Sequence, residues 1–292
     1  MRTKRMSAKR WMATVAVLTA ALVGCDLTFV VDVELWLGKA SESISETYAF
    51  DGVETVRVGT ANGEIRVTVD RNATEVLVAG TKTARGEDDA AAQTRLDDIE
   101  IRIATSGEGN TVLEIEALLE EVSGQIRDEV DFAITLPAGA DLELETDNGA
   151  ITVIDNEGQV AAVTSNGKIT VTDNTGAIDV TSSNGELVLT GIVGAVKGVT
   201  SNGKITVEAA IAGTEAVDVQ TSNGAIDIEV PAATTKADLD LSTKLGRVVT
   251  ELQDFTITNL ETATRSVTAT LNGGGGLIKA RSSNGWITFS GM

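Results

Sequence analysis

The chain has 292 residues, a length that suits one large β domain or two ordinary ones. It holds 29 glycines, two prolines and only 3% aromatic residues, so its apolar mass is Val, Ile, Leu and Ala, which suits thin, regular layers. The formal net charge of -20 argues against nucleic acid and anionic lipid headgroups as partners, because both need a basic surface. The absence of histidine excludes Ser-His-Asp and Cys-His catalysis and His-ligated zinc.

Residues 1–24 predict a secretory signal peptide. Residues 1–10 are basic, and residues 11–24 are apolar. This apolar segment is too short to span a bilayer comfortably, because a spanning helix takes about 20 residues. Once residues 1–24 are removed, the chain carries 18 basic and 43 acidic side chains, a net charge of -25.

The signal segment ends in Leu-Val-Gly-Cys, and Cys25 is the only cysteine of the chain. This tetrapeptide resembles the lipobox of bacterial lipoproteins. The resemblance implies cleavage before Cys25, lipidation of its thiol and stable anchoring by two or three acyl chains. The alternative is an ordinary signal peptide with a chance cysteine. Asp26 resembles a sorting signal that favours the inner membrane over the outer membrane.

Residues 25–47 are expected to form the lipidated cysteine and a tether, and residues 48–292 the folded domain. Within residues 48–131 the pattern predicts strands of uneven spacing and a helix at residues 87–98, where an acidic start precedes an Ala-rich segment. We interpret residues 48–131 as longer, irregular coils that cap the amino-terminal end of a repeat structure.

Residues 132–292 carry a repeated phrase, Thr-Ser-Asn-Gly followed by a strand that alternates polar and apolar residues. Its asparagines recur every 18 residues from Asn148 through Asn166 and Asn184 to Asn202, and the next step, to Asn223, is 21 residues. A fixed period of this length marks a stacked-repeat architecture.

Each period contains two short strands and two turns, which fits either one coil of a β-solenoid or one hairpin of a meander. Alignment of the periods places Ile151, Ile169 and Leu187 in one apolar column. It also places Lys168 beside Glu186 on the outward face, where opposite charges on neighbouring strands attract. We therefore predict an all-β, single-chain parallel β-solenoid with coils of about 18 residues.

The turn asparagines are expected to form a structural amide ladder, as in stacked amide columns. A row of ligand contacts is the alternative. The residues of this ladder are Asn148, Asn166, Asn184, Asn202, Asn223 and Asn284. Trp286 and Phe289 are expected to close the carboxy-terminal end of the stack.

A longer frame is shared by two segments, each with one of the two prolines. Phe132–Gly139 reads Phe-Ala-Ile-Thr-Leu-Pro-Ala-Gly and leads into Leu-x-Leu-x-Thr and Asn-Gly, and Ile226–Ala232 begins a similar run. This frame resembles the bacterial envelope domain family labelled "putative adhesin" and is similar to autotransporter adhesin head domains. The resemblance covers residues 50–292 and implies a β-solenoid in the cell envelope, without any catalytic residue to transfer.

The sequence thus predicts a non-enzymatic, lipid-anchored envelope protein that faces the periplasm or the cell exterior. It is expected to present stacked polar faces to a protein or glycan, with no cofactor, no metal and no nucleic acid. One alternative is an envelope structural or signalling accessory that assembles with membrane proteins. Another is a polysaccharide-active enzyme that uses Asp147, Asp155 and Asp173, although isolated turn aspartates are more typical of turn formation.

Overall fold

A computed structural model describes residues 38–119, 128–211 and 213–292 of the chain. The predicted signal peptide, Cys25 and Asp26 lie outside the described residues. Within the described ranges the chain forms 23 strands and one helix, so the fold class is all-β.

The amino-terminal part, before the regular repeats, has strands of uneven length and the helix α1. In chain order its elements are β1 Gly38–Ala49, β2 Thr55–Asn62, β3 Ile65–Val69, β4 Glu75–Gly86, α1 Asp89–Asp98, β5 Glu100–Ser106, β6 Val112–Leu118 and β7 Glu129–Leu136.

The remaining strands are mostly short. They are β8 Asp141–Asn148, β9 Ile151–Ile154, β10 Val160–Thr164, β11 Ile169–Asn174, β12 Ile178–Ser182, β13 Leu187–Val193, β14 Val196–Thr200, β15 Ile205–Ala210, β16 Ala216–Thr221, β17 Ile226–Val230, β18 Ala237–Thr243, β19 Val248–Glu251, β20 Ile257–Ala263, β21 Ser266–Leu271, β22 Gly276–Ser282 and β23 Ile287–Gly291.

The strands of the described residues form two large mixed sheets. The first sheet has 11 strands in the order β1-β4-β7-β3-β9-β11-β13-β15-β17-β23-β19. The second has 12 strands in the order β20-β21-β18-β22-β16-β14-β12-β10-β8-β2-β6-β5. The middle of each sheet is parallel, whereas β1 and β4 in the first sheet, and β5, β20 and β21 in the second, pair antiparallel.

The central strands pair in register at the 18-residue period of the sequence. Ile169 is the register partner of Ile151 on one side and of Leu187 on the other. In the second sheet Ile178 lies between Val160 and Val196 in the same way. Because side chains alternate between the two faces of a strand, these apolar residues all point to one side and are almost completely buried.

Both ends of the sheets depart from chain order. At the amino-terminal end β3 lies between β7 and β9, and β2 lies between β6 and β8. At the other end β22 and β23 lie between β16–β17 and β18–β19. At the carboxy-terminal end, β18 and β19 leave one position open, and the segment 252–275 returns the chain so that β22 and β23 fill it. At the amino-terminal end, the segment 70–111 leads to β6 and β7 on the outer side of β2 and β3, and the chain then crosses these two strands to reach β8 and β9.

This arrangement makes the expected closure of the carboxy-terminal end by Trp286 and Phe289 wrong. The coil that holds both residues is covered by β18 and β19 on its outer side. Phe289 is fully buried and packs against Phe255, with ring centroids 5.8 Å apart, whereas Trp286 is 60% exposed. β19 occupies the end of the first sheet, and the β20–β21 hairpin occupies the end of the second sheet.

The expected tether is also different in the structure, because its described part, residues 38–47, lies in a strand. β1 pairs antiparallel with β4 over its whole length, from Gly38 opposite Gly86 to Ala49 opposite Glu75. Ile44 and Tyr48 are partly buried against the core. The polar sequence suggested a flexible segment, but an edge strand with one solvent face is also polar.

The helix lies where the sequence predicts it. Asp88 caps its amino terminus by accepting a hydrogen bond from the backbone N–H of Ala91 at 2.8 Å. Ala92 and Leu96 are buried, and the helix packs against β1 and β4. Arg95 forms an ion pair with the buried carboxylate of Asp128, which joins α1 to the start of β7.

Tyr48 is the only tyrosine of the chain and reports whether β1 is docked. Burial, and then the hydrogen bond that its hydroxyl donates to Glu46, raise the pKa of Tyr48 to about 12. We predict that ultraviolet absorbance of the native protein shows a tyrosinate midpoint near this value, against about 10 in denaturant. The raised pKa stabilises the fold below pH ~10, and this contribution is lost as the pH rises through the native pKa.

A native midpoint near the denatured value would contradict the docking of β1. Glu46→Gln is the matched variant. Because it removes the charge and replaces the carboxylate acceptor by a weaker amide oxygen but leaves the burial, we expect it to lower the pKa of Tyr48 only in part.

Candidate functional site

The described residues contain no group of three or more His, Cys, Asp or Glu side chains placed to hold a metal ion. In the same part of the chain, no helix has both the length and the apolar character to cross a bilayer. The feature that recurs is the column of Thr-Ser-Asn-Gly turns at the corner between the two sheets.

The glycine of each turn is required by a close backbone approach. A Cβ atom on Gly185 would lie 1.7 Å from the carbonyl oxygen of Gly167, and one on Gly203 would lie 1.9 Å from that of Gly185. Neither glycine has a positive φ. The glycine therefore serves the stacking of successive turns rather than the backbone freedom of a left-handed turn conformation.

The threonine or serine at the start of each turn hydrogen-bonds to a glycine of the neighbouring coil. The hydroxyl of Thr164 donates to the carbonyl oxygen of Gly149 at 3.1 Å, and that of Thr200 donates to Gly185 at 2.9 Å. These hydroxyl-bearing residues are buried. The bond gives the turn carbonyl a partner, since an unpaired buried carbonyl would be costly.

The turn asparagines form a continuous chain of amide hydrogen bonds. Each Nδ2 donates to the Oδ1 of the asparagine on the preceding coil at 2.6 to 2.9 Å. The chain continues from Asn223 to Asn284, which are 61 residues apart in sequence, and Leu245 takes the next position. The members are Asn148, Asn166, Asn184, Asn202, Asn223 and Asn284. Because these amides bind one another, their geometry supports a structural role over a row of ligand contacts.

A second, interior asparagine pair was missed in the sequence. The Nδ2 of Asn156 donates to the Oδ1 of Asn174 at 2.9 Å, and both residues are fully buried. Each also donates to a backbone carbonyl two residues further on. The sequence signal that could have revealed this pair is the Asp-Asn dipeptide, which occurs twice at a spacing of one 18-residue period.

The three aspartates considered as catalytic carboxylates lie at strand ends and turns. Asp147 is exposed near the end of β8, where it lines a surface cleft. Asp155 and Asp173 have left-handed φ values of 61° and 56°, a conformation that Asp tolerates at turns. Their geometry fits the turn-forming role.

Ion pairs run along the outward faces of both sheets. Lys168 pairs with Glu186 at 3.0 Å, and Lys197 pairs with Asp179 at 2.7 Å, as the sequence alignment of coils predicts. The hydrogen bond to Asp179, followed by its charge, raises the pKa of Lys197. Because such exposed pairs contribute little to stability, their main effect is to favour the correct register.

Two clefts lie at one edge of the second sheet, where its strands lead into the turns. The first, of about 420 Å³, crosses β6, β2 and β8 and is lined by residues that include Gly59, Glu116, Glu145 and Asp147. The second, of about 180 Å³, crosses β16, β22 and β18 and is lined by residues that include Gln220, Ser242, Lys244, Arg281 and Ser283.

The two clefts occupy equivalent positions on different coils. Register partners lead from Glu145 in the first cleft, one coil at a time, to Gln220 in the second. The first cleft is lined by carboxylates and the second by cations. The charge of this corner therefore reverses from one end of the stack to the other.

No protein-family model and no curated protein matches this chain. Solved structures similar to this chain include three that are described as follows. One is described as a "putative adhesin" from Bacteroides fragilis, with 13% identity, a TM-score of 0.42 and coverage of 86% of this chain and 97% of the other. Another is a "putative cell adhesion protein" from Clostridium sporogenes, with 10% identity, a TM-score of 0.37 and coverage of 87% and 100%.

The third is a "putative lipid binding protein" from Parabacteroides distasonis, with 12% identity, a TM-score of 0.27 and coverage of 87% and 97%. At these identities and TM-scores the three similarities carry no conclusion about the activity of this chain.

The close approach of the turns predicts which glycine substitutions lower the melting temperature. Gly185→Ala is expected to lower the melting temperature markedly, because its Cβ would collide with the carbonyl oxygen of Gly167 and no flexible side chain can move aside. Gly59→Ala is the matched control, since a Cβ there meets nothing within 4 Å. Thermal unfolding followed by circular dichroism checks both variants, and equal melting temperatures would refute the role given to the turn glycine.

Proposed function

We propose that this chain is a non-enzymatic β-solenoid of the bacterial cell envelope, anchored to a membrane through Cys25, that binds a protein or glycan on its stacked polar faces. The observation that carries the proposal is the in-register stacking of coils, which turns each outward position of the repeat into a long polar row.

The strand pairing supports the solenoid. Each period adds one strand to the first sheet and one to the second, and each new strand is parallel to the strand one period earlier. Apolar side chains fill the space between the sheets, while lysines, aspartates and glutamates point outward. Stacked repeats of this kind build extended surfaces that are typical of binding proteins.

The chemistry of the turns supports binding over catalysis. The turn hydroxyls and amides that recur along the stack are engaged with neighbouring coils. The chain has no histidine to act as a general base near neutral pH. The clefts at the edge of the second sheet, by contrast, present side chains directly to solvent.

The amino-terminal sequence supports a location in the cell envelope. The resemblance of Leu22–Cys25 to a lipobox implies a lipid anchor, and Asp26 favours retention at the inner membrane. The high negative charge keeps the anchored domain from adsorbing to anionic headgroups, so its faces stay available to partners.

Cell fractionation tests the anchor. We predict that Cys25→Ser moves the protein from the membrane fraction to the soluble fraction, because no acyl chain is then attached. Asp26→Ser is the paired variant, which is expected to stay membrane-bound but to move from the inner to the outer membrane. Unchanged membrane retention of Cys25→Ser would contradict the anchor.

Crosslinking of the full lipidated protein in living cells tests the binding role. Recovery of an envelope glycan supports the proposal. Recovery of a protein from another cell supports binding but would mean that Asp26 does not retain the chain at the inner membrane. Recovery of a defined inner-membrane complex instead would favour the structural or signalling accessory, and recovery of nothing above background would contradict a binding role.

A further inference from the structure

The charge of the chain is distributed very unevenly. Residues 38–235 contain 35 acidic and 12 basic side chains, whereas residues 236–292 contain five acidic and six basic ones. The carboxy-terminal coils are therefore electrostatically different from the rest of a strongly acidic protein, and an anionic ligand would meet the least repulsion there.

The second cleft lies in these coils and has two cations in its lining. Arg281, in β22, has Gln220 and Ser242 as its register partners on the two neighbouring strands. Lys244 lies in the turn that follows β18 and is exposed. No carboxylate lines this cleft, while the equivalent cleft at the other end is lined by Glu116, Glu145 and Asp147.

Both cations have donors left for a ligand. Arg281 pairs through one nitrogen with Asp240 at 2.8 Å, and its guanidinium has five N–H donors in all. Within the described ranges, Lys244 takes part in no ion pair. A planar guanidinium and an ammonium at one cleft are the groups that proteins use to bind carboxylate or phosphate.

The remaining lining is polar and uncharged. The side chains of Gln220, Ser242 and Ser283 line the cleft, and none of them hydrogen-bonds to another described residue. In contrast, the hydroxyls of Ser282 and Thr243 are used on the turn carbonyls. The free amide and hydroxyls can donate to and accept from the hydroxyl groups of a sugar.

The size of the cleft limits the ligand. Its volume of about 180 Å³ is below the ~300–1,000 Å³ of sites that enclose a whole drug-sized molecule, so it fits one sugar ring or a group of similar size. It is open to solvent, which lets a chain continue beyond it. Leu245, adjacent to Lys244 in sequence, and Trp286, three residues beyond Ser283, are 70% and 60% exposed and add apolar surface at the same turns.

We propose that this cleft, formed by Gln220, Ser242, Lys244, Arg281 and Ser283, binds a sugar residue that carries a carboxylate or phosphate group within an acidic glycan. The proposal rests on the binding function proposed above and names its ligand class. Lys244 and Arg281 hold the anionic group, and the neutral side chains hydrogen-bond to the ring hydroxyls.

Calorimetric titration of the full-length chain in detergent micelles tests the site. The probes are an oligomer of uronic acid residues, a sugar phosphate, and a neutral maltose oligomer as the negative control. We expect at least one acidic probe to bind and the neutral oligomer not to bind. Lys244→Gln and Arg281→Gln are each expected to weaken binding about tenfold, which is ~1.4 kcal/mol.

Lys279→Gln is the matched control variant. It removes one positive charge from the same strand as Arg281, but Lys279 pairs with Asp218 and does not line the cleft. Its affinity for the acidic probe should stay close to that of the wild type. An equal loss in Lys279→Gln would show that only the overall charge matters and would overturn the site.

Two other outcomes would also overturn the proposal. One is the absence of binding to both acidic probes, and the other is equal binding of the neutral oligomer. Neither outcome decides the binding function itself, since the crosslinking experiment with the wild-type chain does not depend on the charge of the ligand. Stronger binding of the uronic acid oligomer than of the sugar phosphate identifies the carboxylate as the anionic group, and the reverse order identifies the phosphate.

Discussion

The structure depends on the close contact between the backbones of successive turns at the corner of the two sheets. A Cβ atom added at this glycine would lie within 2 Å of a carbonyl oxygen, as at Gly185 and Gly203. Only glycine therefore allows the turns to approach so closely. The same carbonyl accepts a hydrogen bond from the buried threonine or serine of the next coil, as from Thr200 to Gly185. With the asparagine ladder, these contacts fix the register of the repeated strands, and the register in turn sets the apolar columns and the polar rows.

The residues of the repeated Thr-Ser-Asn-Gly phrase have different structural roles at this contact. The first residue satisfies a backbone carbonyl, the asparagine links the side chains of neighbouring turns, and the glycine allows the approach. The second residue of the phrase is the position that the stack leaves free to vary, as Lys244 and Ser283 show at the basic cleft. Function can therefore change along the corner without loss of the stacking contacts.

Much of the interior was predictable from the sequence because period-two alternation and an 18-residue period are both local signals. The apolar column through Ile169, the Lys168–Glu186 pair and the asparagine ladder all follow from alignment of the copies. The order of the end coils was not predictable in the same way. Because the turn phrase is nearly identical in each copy, periodicity does not indicate that Asn284 lies beside Asn223.

Two further features that the sequence did not predict, the first strand and the basic cleft, were hidden for physical reasons. The strand at residues 38–49 was hidden because an edge strand with few buried positions has the composition of a flexible tether. The basic cleft was hidden because its residues come from three strands, β16, β22 and β18, that are adjacent only through the unexpected coil order. Its cations, Lys244 and Arg281, are separated by 37 positions in the sequence and form no motif.

The most direct test of the account is disulfide formation between turn positions, in a Cys25→Ser background that has no other thiol. The stacking order predicts that Asn223→Cys and Asn284→Cys form a disulfide on mild oxidation, because their side chains are in contact on adjacent coils. Asn223→Cys paired with Leu245→Cys should stay reduced, since a whole coil lies between them. The opposite result, a disulfide only between positions 223 and 245, would show that the coils stack in chain order and would contradict the account.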